Sequence, residues 1–177
     1  MYSKVDFKIG AFNIFCLEKE CRYQLERVWD LNKQKCGVIM YNPREINPNP
    51  FILGQTLGRI ARLVSKEYGS ISVVNLFAKT SDTKKSLDKK YKKFDEENFA
   101  FIKKTVEESD ILVLFWGNGG AKVSRDKKFI TLLNKHSDKL MCFGVTKNNQ
   151  PVYERTLGEN NRLYKCKIDY KGNIYLV

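Results

Sequence analysis

Amides, aromatic rings and glycines, rather than histidines or paired carboxylates, are the residues of this chain placed to do chemistry. Asn75 stands at the end of the apolar run ISVVNL (71–76), and Asn42-Pro43 directly follows GVIMY (37–41). A carboxamide offers both a donor and an acceptor, so Asn75 can serve a partner that presents both. Phe77, two residues on, offers an aromatic face. The run ILVLF (111–115) exits into Trp116-Gly117-Asn118-Gly119-Gly120, and Gln150-Pro151 follows LMCFGV (140–145). A glycine-rich strand exit in an α/β sheet is a frequent ligand site. Each feature has a plain alternative: Asn75 caps its strand, Phe77 is core, Asn42-Pro43 is an ordinary turn, and the glycines only supply positive φ.

Other chemistries find no support. His136 is the one histidine and ends a helix, where the dipole favours it at the surface, so Ser-His or Cys-His catalysis is disfavoured. With no CxxC pair, no metal is expected. No GxGxxG or GxxxxGK[ST] occurs, and no cofactor is expected.

The elements that must position these residues follow from hydrophobic patterning. Four short continuous apolar runs (37–41, 71–76, 111–115 and 140–145) read as buried parallel strands. Helices are expected from Leu53 through Val64 to Gly69, from Asp95 through Val106, and from Arg125 to His136. Residues 7–15 alternate loosely as a strand, and 22–30 (RYQLERVWD) form an amphipathic piece. The segment 42–50 is a proline-punctuated loop, and Lys79–Lys93 reads as an exposed polar loop. The tail 163–177 reads as a hairpin around Lys171-Gly172-Asn173. Strands alternating with helices predict a three-layer α/β/α domain around a mostly parallel four-stranded sheet, as one domain over 1–177. Sites in such sheets form where loops leave the carboxyl ends of the strands.

The 177 residues hold 32 Lys and Arg against 20 Asp and Glu, a formal charge of +12. This excess fits a polyanionic partner, and equally fits lysine-rich faces that keep a protein in solution. Arg44, Lys122 and Lys147, which follow the apolar runs, and Arg59 and Arg62 of the helix from Leu53 are the candidate DNA contacts. Five cysteines without a CxxC pair read as free thiols in a reducing cytoplasm. No stretch has the length to cross a bilayer, so no membrane partner is expected, and the chain is expected to be a monomer on its own.

Read together, the four strand exits resemble those of uracil-DNA glycosylases. Leu112 to Lys122 (LVLFWGNGGAK) is similar to that family's strand and turn, which reads LLWG followed by a small residue and a lysine. Val73-Val74-Asn75 resembles the strand ending in the asparagine that reads flipped uracil. Tyr41-Asn42-Pro43 falls at the water-activating motif, Asn-Pro in the mismatch-specific branch and Asp-Pro in another. Gln150-Pro151 occupies the place of its His-Pro. The chain also resembles an uncharacterised bacterial family of unknown function through RYQLERVWD, VVNLFA, the WGN-G turn and FGVTKNNQP, over roughly Cys21 to Tyr153.

The glycosylase resemblance implies catalytic positions at Asn42 and Gln150, and a base pocket of Asn75, Phe77, Pro43, Trp116, Gly117 and Asn118. The chain departs from that pattern at key places. Asn42 is neutral and cannot act as a base. Gln150 lacks the imidazole geometry that donates to the leaving oxygen, and losing one such donor costs on the order of 10²–10³ in rate by analogy with acyl transfer. Val152 and Tyr153 stand in place of Ser-Pro, and Arg44 in place of the aromatic wall that excludes thymine. The expectation is a pseudo-enzyme that binds DNA or an acidic protein imitating DNA. The alternatives are an active, divergent DNA glycosylase and an unrelated enzyme using the same cleft for a small molecule or nucleotide.

Overall fold

The structure, a computed structural model, describes residues 10–45, 49, 52–82, 86–153 and 161–177. The strands are β1 (Gly10–Cys16), β2 (Cys21–Val28), β3 (Lys35–Met40), β4 (Ser70–Asn75), β5 (Ile111–Phe115), β6 (Leu140–Cys142), β7 (Tyr164–Ile168) and β8 (Ile174–Leu176). The helices are α1 (Gly54–Val64), α2 (Glu96–Glu108) and α3 (Lys127–Lys135). One sheet runs in the order β1-β2-β4-β3-β5-β6-β7-β8.

The expected sheet needs correcting. The four apolar runs do form a parallel block, β4-β3-β5-β6. Antiparallel strands extend it on both sides, however, to give eight strands joined mostly by antiparallel pairings. The segment RYQLERVWD, read only as amphipathic, is largely β2. Its place beside β4 explains why Tyr23, Gln24, Leu25 and Arg27 are all buried. The run 140–145 yields only a three-residue strand, because Gly144 turns at φ 142° and Val145 bridges to Pro151. The tail is the expected hairpin, its turn held by Asp169, which accepts from the backbone N–H groups of Lys171 and Asn173 at 2.8 Å. The segment 79–93 is not wholly irregular, since Lys89–Tyr91 forms a short 3-10 turn.

Pleating divides the core. Ile39, Val74, Leu112 and Leu114 point to one face, where Ile102 and Val106 of α2 and Phe129 and Leu133 of α3 cover them. Val38, Met40, Val73, Val113 and Phe115 point to the other, against Leu57, Ile60, Ala61 and Val64 of α1. Helices therefore lie on both faces. Two of them begin with a carboxylate cap: Asp95 accepts from the N–H of Glu97, and Asp126 from the N–H groups of Lys128 and Phe129. Helix α1 has no side-chain cap and no acidic residue in its first turn. Among the described residues, no helix is long and apolar enough to cross a membrane.

Candidate functional site

The parallel block reverses direction at β3: the chain passes from β3 to β4 on one side and later to β5 on the other. Ligands in open α/β sheets bind at such a reversal, beyond the carboxyl ends of the strands. A cleft of about 550 Å³ opens there, on the α1 face, in the size range of small-molecule sites. Met40 and Asn42 from the end of β3, the first turn of α1 from Leu53 to Leu57, Arg22 of β2 and Tyr153 line it, with Arg44 and the exposed carboxylates Glu45 and Asp82.

Asn42 is half-buried, and its Nδ2 donates to the carbonyls of Pro43 and Ser81, both at 2.9 Å. Both amide hydrogens go to backbone, which leaves Oδ1 as the acceptor available to a ligand or water. Pro43 is buried and serves as scaffold, its carbonyl also accepting from the N–H of Ser81 at 3.0 Å. Arg44 is exposed at the cleft.

Asn75 ends β4, the strand between β3 and β2. It is 1% exposed, and neither its Oδ1 nor its Nδ2 has a hydrogen-bond partner. Asn75 and Met40 are register partners, so their side chains leave the sheet on the same face, but only Met40 is among the residues that line the cleft. Only the main-chain carbonyl of Asn75 is engaged, accepting from Asn98 Nδ2 at 2.8 Å. The strand-capping alternative for its side chain is therefore not what the structure contains. A buried carboxamide with both ends unmatched costs about 1–3 kcal/mol per unsatisfied group, and such a group calls for an explanation.

Arg22 escaped the sequence reading. It looked like one polar position of an amphipathic segment, and no local signal marks it, because only the pairing of β2 with β4 brings it to the cleft. Its Nη1 donates to the Glu45 carbonyl at 3.3 Å, and its Nε is buried without a partner. No ion pair among the described residues includes it. Burial, helped by the like charge of Arg27 and opposed by Glu45, pulls the guanidinium down from 12.5 to about 10, so it stays a cation at neutral pH.

The remaining candidates do not converge on this cleft. Phe77 is buried, stands edge-on to Tyr41 at 5.0 Å, and lines a separate hollow of about 250 Å³ with Cys21, Lys79, Tyr91 and Phe94. Trp116 is 0% exposed and packs edge-on against Phe129. Gln150 is also 0% exposed. Its Oε1 accepts from Trp116 Nε1 at 2.9 Å and Ser124 Oγ at 3.1 Å, while its Nε2 donates to the carbonyls of Asn149 and Gly172, both at 3.1 Å. Gly117 takes φ 69° to start a 3-10 turn over Asn118–Lys122, and exposed Asn118 accepts from Thr146 Oγ1. The next two glycines are packing glycines: a Cβ on Gly119 meets Tyr41 at 2.7 Å, and one on Gly120 meets Trp116 at 2.1 Å.

The candidate DNA contacts are likewise dispersed. Arg59 is half-buried and Arg62 exposed in the later turns of α1, away from its cleft-lining first turn, and Lys147 is exposed in the turn before Gln150. Lys122 closes the 3-10 turn, with its side chain outside the described residues. All five cysteines are free; Cys36, Cys142 and Cys166 are buried, and Cys16 and Cys21 half-buried. Among the described residues no group of three or more His, Cys, Asp or Glu is placed to hold a metal ion.

No curated protein matches this chain, and no solved structure does. A family match spans residues 22–153, from the cleft arginine of β2 to the cleft tyrosine after β6, and covers most of the sequence. On that match the chain belongs to the family described as "Protein of unknown function (DUF1643)".

Proposed function

We propose that this protein is a uracil-DNA-glycosylase-like binding protein with degenerate catalytic positions, which takes a nucleotide of DNA into the cleft without excising its base. The unmatched amide of Asn75 carries the reading. A nucleobase edge presents a donor beside an acceptor and would satisfy both ends of that amide. An acidic protein imitating DNA would supply the negative charge but no base edge, so the amide favours nucleic acid as the polyanionic partner. The loss of chemistry is supported by Gln150, whose hydrogen-bonding capacity is spent inside the core.

The test is a base-release assay on single- and double-stranded oligonucleotides containing uracil, alongside a binding titration of the same oligonucleotides. Binding without release is the expected result, with affinity falling steeply as salt rises. Release at enzymatic rates would overturn the pseudo-enzyme reading and favour an active, divergent glycosylase. One observation favours that second reading: Asn42 lines the cleft with Oδ1 as its remaining acceptor, which suits orienting a water. Absence of both binding and release would reject both.

A further inference from the structure

A partly desolvated arginine without a counter-ion is expensive unless something anionic meets it. Arg22 lies at a cleft wall with Nε buried and unpaired and with no ion pair among the described residues, and the exposed Glu45 carboxylate offsets its burial only in part. The first turn of α1 lines the same cleft, and the free N–H groups and dipole of a helix start attract anions. Gly54 takes φ 59° at the helix start, and a Cβ there would meet nothing within 4 Å among the described residues. Asn75 is a second, independent unmatched group: it is 1% exposed, unmatched at both ends, and on the same sheet face as the cleft-lining Met40, its register partner, though it is not itself part of the lining.

We infer that the cleft contains a phosphate subsite, in which Arg22 and the first-turn N–H groups of α1 hold the phosphoryl group of a nucleotide unit. This rests on the nucleic-acid reading above and names the part of the nucleic acid that the cleft grips. Arginine suits the task because its planar fork matches phosphate oxygens pairwise. Glu45 and Asp82 oppose an anion and Glu45 also attracts Arg22, so a phosphate must compete with it; both carboxylates are exposed, where water and salt weaken them, whereas Arg22 is sheltered. A volume of about 550 Å³ has room for a base and sugar beside the phosphate.

The experiment titrates the full, isotope-labelled chain with inorganic phosphate, deoxyuridine, deoxyuridine monophosphate and a short single-stranded oligonucleotide, following backbone amides by NMR. Phosphate and the monophosphate are expected to shift the amides of Gly54, Gln55 and Thr56, and deoxyuridine to leave them in place. Arg22→Gln is expected to weaken monophosphate binding about tenfold, and Lys103→Gln, the same charge change on an exposed position of α2, to leave it unchanged. If Arg22→Gln loses the fold in a thermal melt, the wild-type shifts decide by themselves. Amides of α1 that stay unmoved by phosphate and monophosphate while the oligonucleotide binds would overturn the subsite and leave the nucleic-acid reading standing. Shifts with both phosphates but no oligonucleotide binding would uphold the subsite for a free nucleotide and reject the DNA reading.

Discussion

Trp116 Nε1 donates to Gln150 Oε1 at 2.9 Å, between two side chains separated by 34 positions in sequence and both 0% exposed. The same oxygen accepts from Ser124, and the amide nitrogen reaches the carbonyls of Asn149 and Gly172. One glutamine thus braces the exit of β5, the turn before Pro151 and the β7–β8 hairpin. A neutral imidazole has one donor and one acceptor and cannot replace a group that accepts twice and donates twice. The packing itself therefore selects glutamine over histidine at this position.

Gln150→Ala is expected to destabilise the fold by roughly 3 kcal/mol or more, since it leaves the Trp116 indole N–H, the Ser124 hydroxyl and the Gly172 carbonyl without their partner. Gln150→His, the histidine of the glycosylase pattern on the proposed reading, is expected to lose stability too and to gain no base release. Urea denaturation of both variants, with the excision assay on Gln150→His, checks this. A stable, active histidine variant would show that the residue faces the cleft.

Asn75→Ala is expected to do the reverse for stability. Removing a buried amide that bonds to nothing leaves no partner orphaned, and the main-chain link to Asn98 survives. Stability should be unchanged or rise by about 1 kcal/mol, while oligonucleotide affinity falls. Thermal melts and a binding titration on one preparation give both readings. A clear loss of stability would mean that the amide has a structural duty.

Gly120→Ala is expected to cost about 1–3 kcal/mol. The added methyl lies 2.1 Å from Trp116 Cδ1 and 2.6 Å from Leu76 Cδ1, and Trp116 cannot swing away without breaking its bond to Gln150. A denaturation midpoint equal to wild type would show that the indole moves freely.

These residues show what the sequence made legible. The parallel strands could be read because a strand buried on both faces is continuously apolar, as ILVLF is. The flanking strand β2 could not: its polar positions Gln24 and Arg27 are buried through bonds to Ser72 and to the carbonyl of Phe12, partners that exist only after pairing. The same limit split the candidate site. The strand-exit rule pointed to the loop with Asn42 and Arg44, which lines the cleft, but it cannot say which way a side chain leaves the pleat. Trp116 and Gln150 turned into the core, Phe77 lined a second hollow, and Arg22 reached the cleft through pairing with a strand some fifty residues away.

The hairpin turn carries a pH dependence of defined sign. Burial of Asp169 favours its neutral form. The hydrogen bonds from Asn173 through backbone and side chain, from the Lys171 N–H and from the Tyr175 hydroxyl outweigh that and hold the carboxyl below its ordinary 3.8. A depressed folded-state value means that the turn's stabilisation is fully present above the unfolded value and is lost as pH falls from there through the folded one. Gly172 donates its N–H to the main-chain carbonyl of Asp169, inside the turn that the carboxylate holds, and receives Gln150 on its own carbonyl, so acid that loosens the turn should loosen the bracket around Trp116 as well. Amide signals of Gly172 and Asn173 and the indole signal of Trp116 are expected to shift together in one transition centred below 3.8. In Asp169→Asn that transition should vanish. A midpoint at or above the ordinary value would mean that burial, not hydrogen bonding, governs the carboxyl, and indole and turn signals moving at different pH would uncouple the hairpin from the Gln150 bracket.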